Sequence, residues 1–159
     1  MSKQQKQANE AGALRLWYSL LRTIASLRAE TRAVFARWEL TGAQYGVLRV
    51  IGEAGPEGLT LGQIGERLAF TPGNTTGLVD RLEEAGHVRR FPHPEDRRAM
   101  LVASTDKGQA LYQEVLPAFR RRVTELFACL SEEQRATLVS LLAEIEAHVS
   151  QPPGPHAGS

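Results

Sequence analysis

Residues 59–108 read LTLGQIGERLAFTPGNTTGLVDRLEEAGHVRRFPHPEDRRAMLVASTDKG, and the order of caps, glycines and prolines in this stretch decides the fold. Thr60 and Gln63 have the spacing of a capping box, in which each side chain covers the other residue's orphan backbone N–H. They predict a short helix over Leu61 to Leu68. Thr71 predicts a second N-cap, with Pro72 at the first helical position, where a missing N–H costs nothing. Leu78, Val79 and Leu82 form the apolar stripe of this second helix, and Gly86 stands where a C′ residue ends it. Two helices joined by Ala69 to Thr71 make a helix-turn-helix. Two extended runs follow, Val88 to Phe91 and Ala99 to Ser104, separated by the turn residues Pro92-His93-Pro94-Glu95-Asp96. A β-hairpin directly after a recognition helix is the wing of a winged helix.

Outward from this stretch the chain is helical. Trp17, Leu20, Leu21, Ile24, Leu27, Val34, Phe35 and Trp38 recur at three- and four-residue steps and predict a long amphipathic helix. Thr41 and Gln44 repeat the capping box and open a helix through Tyr45, Leu48 and Ile51, which Gly55-Pro56-Glu57-Gly58 closes. Thr105 or Asp106 caps a further long helix carrying Leu111, Val115, Phe119, Val123 and Phe127, with Pro117 expected to kink it. Ser131 and Gln134 form a third box before a last helix through Leu138, Leu141, Leu142, Ile145 and Val149. The expected organisation is a flexible N-terminus (1–10), a dimerisation helix (11–38), a winged helix-turn-helix lobe (39–104), dimerisation helices (105–150) and a disordered, Pro- and Gly-rich tail (151–159). The fold class is mainly α with a small β-hairpin wing.

The 159 residues carry a net charge of only +1, so the total does not announce a nucleic-acid partner; the distribution does. Arg89, Arg90, Arg97 and Arg98 cluster on the wing, opposed only by Glu95 and Asp96, while acids gather elsewhere. Asn74, Thr75 and Thr76 fall on the first turns of the second helix, where a recognition helix presents side chains to base edges. Gly73 and Gly77 permit close backbone approach there, and the helix N-terminus suits a phosphate. On the wing, an extended chain puts Asp96 and Arg98 on one face, so that the carboxylate holds the guanidinium in a fixed pose for a minor groove. Arg97 then faces the other way, towards a phosphate. The same residues also describe a solvated charged turn.

Together these features resemble the MarR family of bacterial transcriptional regulators. The most specific stretches are Leu78-Val79-Asp80-Arg81-Leu82-Glu83 with Gly86, Val88-Arg89-Arg90, Pro94-Glu95-Asp96-Arg97-Arg98 and Thr105-Asp106-Lys107-Gly108. They answer the family's L-V-x-x-L-E helix, D-x-R wing and L-T-x-x-G entry to the next helix, with Ser104 in place of the usual leucine. The resemblance spans Leu14 to Val149. It implies a homodimer built on the first and last two helices, binding a pseudo-palindromic double-stranded operator through Thr71, Pro72, Gly73, Asn74, Thr75, Thr76, Arg81, Arg89, Asp96, Arg97 and Arg98. It also implies a small, aromatic effector in a cleft near the dimer helices, for which Trp17, Tyr18, Arg22 and Tyr45 are the candidates, against an ordinary core role for Trp17 and Tyr45.

Other classes fit less well. A winged-helix module that binds protein would not need the basic wing. A redox-responsive regulator would have to use Cys129, the single cysteine, whose apolar neighbours Phe127 and Leu130 predict a buried, inert thiol. His87, His93, His148 and His156 have no metal-ligand spacing; His87 and His93 flank the first wing strand within reach of phosphate. No nucleophile–base arrangement emerges, so neither an enzyme nor a cofactor is expected. The first ten residues are polar, no apolar run approaches a membrane span, and one cysteine forms no internal disulfide. A cytoplasmic protein is expected.

Overall fold

The computed structural model describes residues 2–96 and 98–150. The expected helices and hairpin occur in the expected order: α1 (Lys3–Ala36), α2 (Gly42–Ala54), β1 (Leu59–Thr60), α3 (Leu61–Leu68), α4 (Pro72–Glu84), β2 (Val88–Pro92), β3 (Met100–Ser104), α5 (Asp106–Leu126) and α6 (Glu132–Val149). Arg97 and the tail 151–159, both assigned roles from the sequence, lie outside the described residues. Capping boxes form at Thr41/Gln44, Thr60/Gln63 and Ser131/Gln134, and Thr71 caps α4 with Pro72 behind it. α1 begins earlier than the flexible N-terminus assigned to 1–10 allows. Ser2 accepts the first-turn N–H of Gln5, and the Lys and Gln residues that follow are good helix formers. α5 runs through Pro117 to Leu126 without a break in assignment.

Among the described residues the sheet has the order β1-β3-β2, antiparallel throughout. β1 is an addition to the expected hairpin: two residues are too short to show a period, and Leu59 and Thr60 are identified as a strand only by pairing with Val102 and Leu101. β2 is an edge strand, which is why Pro92, lacking an N–H, is tolerated as its last residue opposite Met100.

The chain divides into one unit ending at Arg122 and one beginning at Val123. The core of the first is the meeting of Val47, Leu48 and Ile51 of α2 with Ile64 of α3, Val79 and Leu82 of α4, Val102 of β3 and Val115 of α5, all essentially inaccessible. The C-terminal end of α1 joins it through Phe35, whose ring stacks on Tyr45 at 4.8 Å. Trp38 Nε1 donates to Glu114 at 2.8 Å, and an Arg122–Glu30 ion pair ties α5 to α1. The rest of α1 is different: Leu14, Leu16, Trp17, Leu21 and Ile24 are exposed. In the second unit Arg135 donates to the carbonyls of Leu130 at 2.6 Å and Phe127 at 3.4 Å, closing the turn before α6. Leu138, Leu141, Leu142 and Ile145 of α6 are exposed too. Cys129 corrects its expectation. The chain leaves the helix at Leu126, the apolar period ends with it, and the thiol is exposed. No helix among the described residues is long and apolar enough to cross a membrane.

The tightest contact lies where α4, β2 and α5 meet. A Cβ built on Gly108 would stand 1.9 Å from the His87 carbonyl oxygen and 2.9 Å from Ser104 Oγ. Only a residue without a side chain lets α5 start there, which is the physical content of glycine in Thr105-Asp106-Lys107-Gly108. Gly108→Ala is expected to destabilise the protein by about 1–3 kcal/mol, the usual range for overpacking, and so to lower Tm by roughly 2–12 °C for a chain of this size. An unchanged calorimetric Tm would show that the contact relaxes freely.

Candidate nucleic-acid interface

α4 buries Thr75, Leu78, Val79 and Leu82, leaving the opposite side to solvent. At 100° per residue, Gly73 and Gly77 run down the middle of that side, with nothing within 4 Å of a Cβ built on either. Asn74 and Arg81, two turns apart, share one flank; Thr76 and Asp80 share the other. Asn74, Thr76 and Arg81 are exposed, as are Thr71, Pro72 and Gly73 at the helix entry. Thr75 is not. It was expected to read bases, yet it is fully buried, and its hydroxyl donates to the Thr71 carbonyl at 3.1 Å. Its helical position puts it on the stripe of Leu78, Val79 and Leu82, and α3 covers that stripe at Gly65, where a Cβ would lie 3.1 Å from Thr75 Oγ1. Thr76, one residue on, faces out while its hydroxyl donates to Pro72 O at 3.0 Å.

The two ends of α4 are tied down by different chemistry. At its C-terminus, Lys107 Nζ donates to the Ala85 carbonyl and Thr105 Oγ1 to that of Gly86, both at 2.7 Å. The Thr105 N–H donates to the His87 carbonyl at 3.1 Å. A cation on the last carbonyls also complements the helix dipole. Burial, and then the Lys107 ammonium, hold the half-buried His87 imidazole below histidine's ordinary pKa. Its Nδ1 is buried and unpartnered among the described residues, so phosphate contact through that nitrogen is closed to it.

Along the side of α4, Arg90 of β2 reaches back over the helix. Its guanidinium donates to Asp80 at 2.6 Å and to Glu83, while the Arg90 N–H donates to the other Glu83 oxygen at 2.9 Å. The two carboxylates outweigh the burial that opposes charge, and the guanidinium stays firmly protonated. This clamp fixes the wing to the recognition helix and offsets one of the two negative charges beside the face that would meet phosphates. Sequence reading grouped Arg90 with the other wing arginines. A partner seven and ten residues back across a turn leaves no periodic signal.

On the wing, exposed Arg89 lies with its guanidinium 4.8 Å from the centre of the Phe91 ring. The tip is a tight turn rather than extended chain. His93 N–H donates to Ala99 O and Ala99 N–H to Asp96 O, each at 3.0 Å. His93 Nδ1 accepts from the N–H groups of both Glu95 and Asp96 at 3.2 Å. The expected pose of Asp96 and Arg98 is therefore corrected. The carboxylate accepts from the Arg98 backbone N–H at 2.9 Å, and the exposed guanidinium has no partner among the described residues. Asp96 holds Arg98 by its main chain and leaves its charge available.

The four proposed effector residues do not converge within the chain. Tyr45 is buried between Phe35, Phe119 at 4.8 Å and Tyr112 at 6.1 Å. Trp17, Tyr18 and Arg22 are exposed. Phe35, the α1 residue against Tyr45, stands 18 positions beyond Trp17 on α1, about 27 Å at 1.5 Å per residue. The Tyr45 hydroxyl is buried with no partner among the described residues, and burial pushes its pKa up to about 12.

Comparison with known proteins agrees with this architecture. The sequence profile of the MarR family matches residues 38–99. The HTH-type transcriptional regulator PecS of Dickeya dadantii (strain 3937) is 31% identical over 117 residues, covering 73% of this chain and 70% of PecS. A mutant MarR from Escherichia coli, solved in complex with operator DNA, is similar in structure with a TM-score of 0.72 at 27% identity, over 80% of this chain and 91% of that one. Bordetella bronchiseptica BpsR, whose DNA binding is regulated by 6-hydroxynicotinic acid, superposes with a TM-score of 0.75 at 25% identity, over 83% of this chain and 98% of its own.

The Arg90 clamp can be tested apart from any base contact. Its acids are well exposed, so Arg90→Met is expected to cost only about 1–2 kcal/mol in denaturant melting. DNA affinity should fall as well, by about tenfold, because two unpaired carboxylates then face phosphates. Adding Asp80→Asn should recover part of the affinity but not the stability. Equal loss in single and double variants would contradict the electrostatic part.

Proposed function

Because the chain belongs to the MarR family and is a DNA-binding transcription regulator, we propose that it acts as a cytoplasmic homodimeric repressor on a pseudo-palindromic operator. Each copy lays the open face of α4 in a major groove, with Asn74, Thr76 and Arg81 towards base edges and the Thr71–Gly73 entry against a phosphate. Arg98 enters the adjoining minor groove, and Arg89 and Arg97 meet the sugar-phosphate backbone. The observation that carries this reading is the exposed Arg98 guanidinium, without a partner among the described residues, on a turn fixed by its backbone, next to a helix face whose two acids are both paired with Arg90. A module that binds protein has no use for that arrangement.

The exposed apolar faces of α1 and α6 support self-association, since faces of this size on a monomer stay uncovered. A two-fold partner sets half-sites about one helical turn apart. A small aromatic acid as effector is supported by the unpartnered Tyr45 hydroxyl among three aromatic rings and by the regulation of BpsR by 6-hydroxynicotinic acid. An effector of this kind acts by binding the operator-free state more tightly than the operator-bound one.

Two measurements test the reading. Arg98→Ala should weaken binding to a duplex selected from a randomised pool by about tenfold or more and lower the slope of log affinity against log salt by about one, at unchanged Tm. Binding that ignores both salt and Arg98 would favour the protein-binding alternative. Sedimentation should find a dimer at micromolar concentration, and Leu142→Glu should shift it towards monomer, because a charge on an apolar interface is left unpaired. A native monomer would remove the two-fold operator.

A further inference from the structure

The wing tip is held by an interaction that neither base readout nor dimerisation requires. His93 Nδ1 stands 3.2 Å from the backbone nitrogen of Glu95 and 3.2 Å from that of Asp96. Both neighbours are donors, so the nitrogen between them must be an acceptor. Accepting both bonds requires the tautomer whose proton is on Nε2. This is the arrangement that Asn and Asp side chains make when they open a turn, accepting main-chain N–H groups two and three residues on. In His93 the same position, two bonds beyond Cβ, is taken by a nitrogen that can be protonated. The rest of the tip depends on it: Asp96, positioned by that acceptor, presents its carboxylate to the Arg98 N–H at 2.9 Å and its carbonyl to Ala99 at 3.0 Å.

We infer that His93 is a positioning residue for the wing: its neutral imidazole holds the turn that presents Arg98, and protonation of Nδ1 releases it. The inference rests on the reading that the wing contacts DNA. A protonated Nδ1 is a donor facing two donors, so both hydrogen bonds are lost together. The charged groups around the imidazole favour release. Glu95 and Asp96 lie in the same turn and offer an imidazolium acceptors elsewhere. Arg98 is exposed, β3 carries no charged residue from Met100 to Ser104, and the β2 arginines are engaged, Arg89 over Phe91 and Arg90 by Asp80 and Glu83. Among described residues of this unit the other histidine is His87, which sits at the far end of the hairpin. Imidazole is the side-chain group that a gained proton turns from acceptor to donor at this nitrogen, and the loss of both bonds would free the turn that carries Arg98.

The test uses the full chain and a labelled duplex selected by the native protein from a randomised pool, with affinity measured at about pH 7.5 and about pH 5.5. His93→Ala should bind about tenfold more weakly at the higher pH, the scale of two ordinary hydrogen bonds, and change little on acidification. Native protein should approach that weak binding only at the lower pH. His93→Asn, whose Oδ1 occupies the place of Nδ1 and does not titrate, should recover most of what alanine loses and should keep it at both pH values. Melting curves should be alike for all three, since the tip lies outside the core. Independently of DNA, amide exchange at Glu95 and Asp96 should quicken in His93→Ala and in the acidified native protein, and not in His93→Asn.

Native-like binding by His93→Ala beside weak binding by Arg98→Ala overturns the inference while leaving the wing in contact with DNA. Native-like binding by both overturns the wing reading and the inference with it. Two further results also overturn it. A pH dependence that persists in His93→Asn would place the titrating group elsewhere, at His87 or in the dimer. Affinity that rises on acidification and is flattened by His93→Asn would mean that the imidazolium contacts phosphate instead of holding the turn.

Discussion

At the end of α4 three consecutive carbonyls, those of Ala85, Gly86 and His87, are each engaged by the first residues of α5, through Lys107 Nζ, Thr105 Oγ1 and the Thr105 N–H. The backbones come so close that Gly108 admits no Cβ. This seam is short, polar on the outside and sterically strict, and everything that meets DNA hangs from it. The recognition helix ends there, the wing begins one residue later at Val88, and α5 leaves it through the core residues Tyr112 and Val115. A helix end secured only by an exposed glycine would swivel. One whose last carbonyls are tied to another helix moves with that helix or not at all.

The second constraint is electrostatic. A chain with a net charge of +1 cannot rely on its total charge to attract a polyanion, so the local field has to be arranged. Asp80 and Glu83 on α4 would repel phosphates beside the very face that must approach them. Arg90 takes both, and is itself held by the main-chain bond from its own N–H to Glu83. One arginine thus does structural and electrostatic work at once, while Arg81, Arg89 and Arg98 keep their charges exposed. Counting basic residues on the wing does not separate these roles. The partner of each guanidinium does.

What was legible in the sequence was what is local. The capping boxes at Thr41, Thr60 and Ser131, Pro72 at the start of α4 and Gly86 beyond its end lie where their spacing places them, because such signals act within one turn of chain. Where an expectation fails, the cause is a packing contact, a turn or a helix end that carries no short motif. Thr75 and Thr76 are chemically alike, and the period of α4 separates them: Thr75 precedes Leu78, Val79 and Leu82 by three, four and seven residues, on the stripe that α3 covers at Gly65. Tyr45 and Trp17 are both candidates for an effector cleft, but α1 is long, and Tyr45 meets its far end at Phe35. Asp96 and Arg98 were read with strand alternation, whereas the turn held by His93 directs the carboxylate to a main-chain donor. Cys129 was read as core from its neighbours, and the helix that would have buried it ends at Leu126.

The exposed leucines of α1 and α6 give the seam its consequence. Each apolar side chain left in water forgoes roughly 1.5–3 kcal/mol of burial, and Leu14, Leu16, Trp17, Leu21 and Ile24 on α1 alone make that an uncomfortable state for a lone chain. A second copy that covers these faces would also fix where each α5 points, because within the same unit the Arg122–Glu30 pair fastens α5 to α1 and the Trp38–Glu114 hydrogen bond fastens it to the turn after α1. Through the carbonyl seam, the direction of α5 becomes the direction of α4. The separation between two recognition helices is then set by packing far from DNA, and a ligand needs only to alter that packing slightly to move both. Control of this kind requires no contact between ligand and DNA-binding residues. It requires that the path between them contain no loose joint, and the first joint on that path is the one that Gly108 closes.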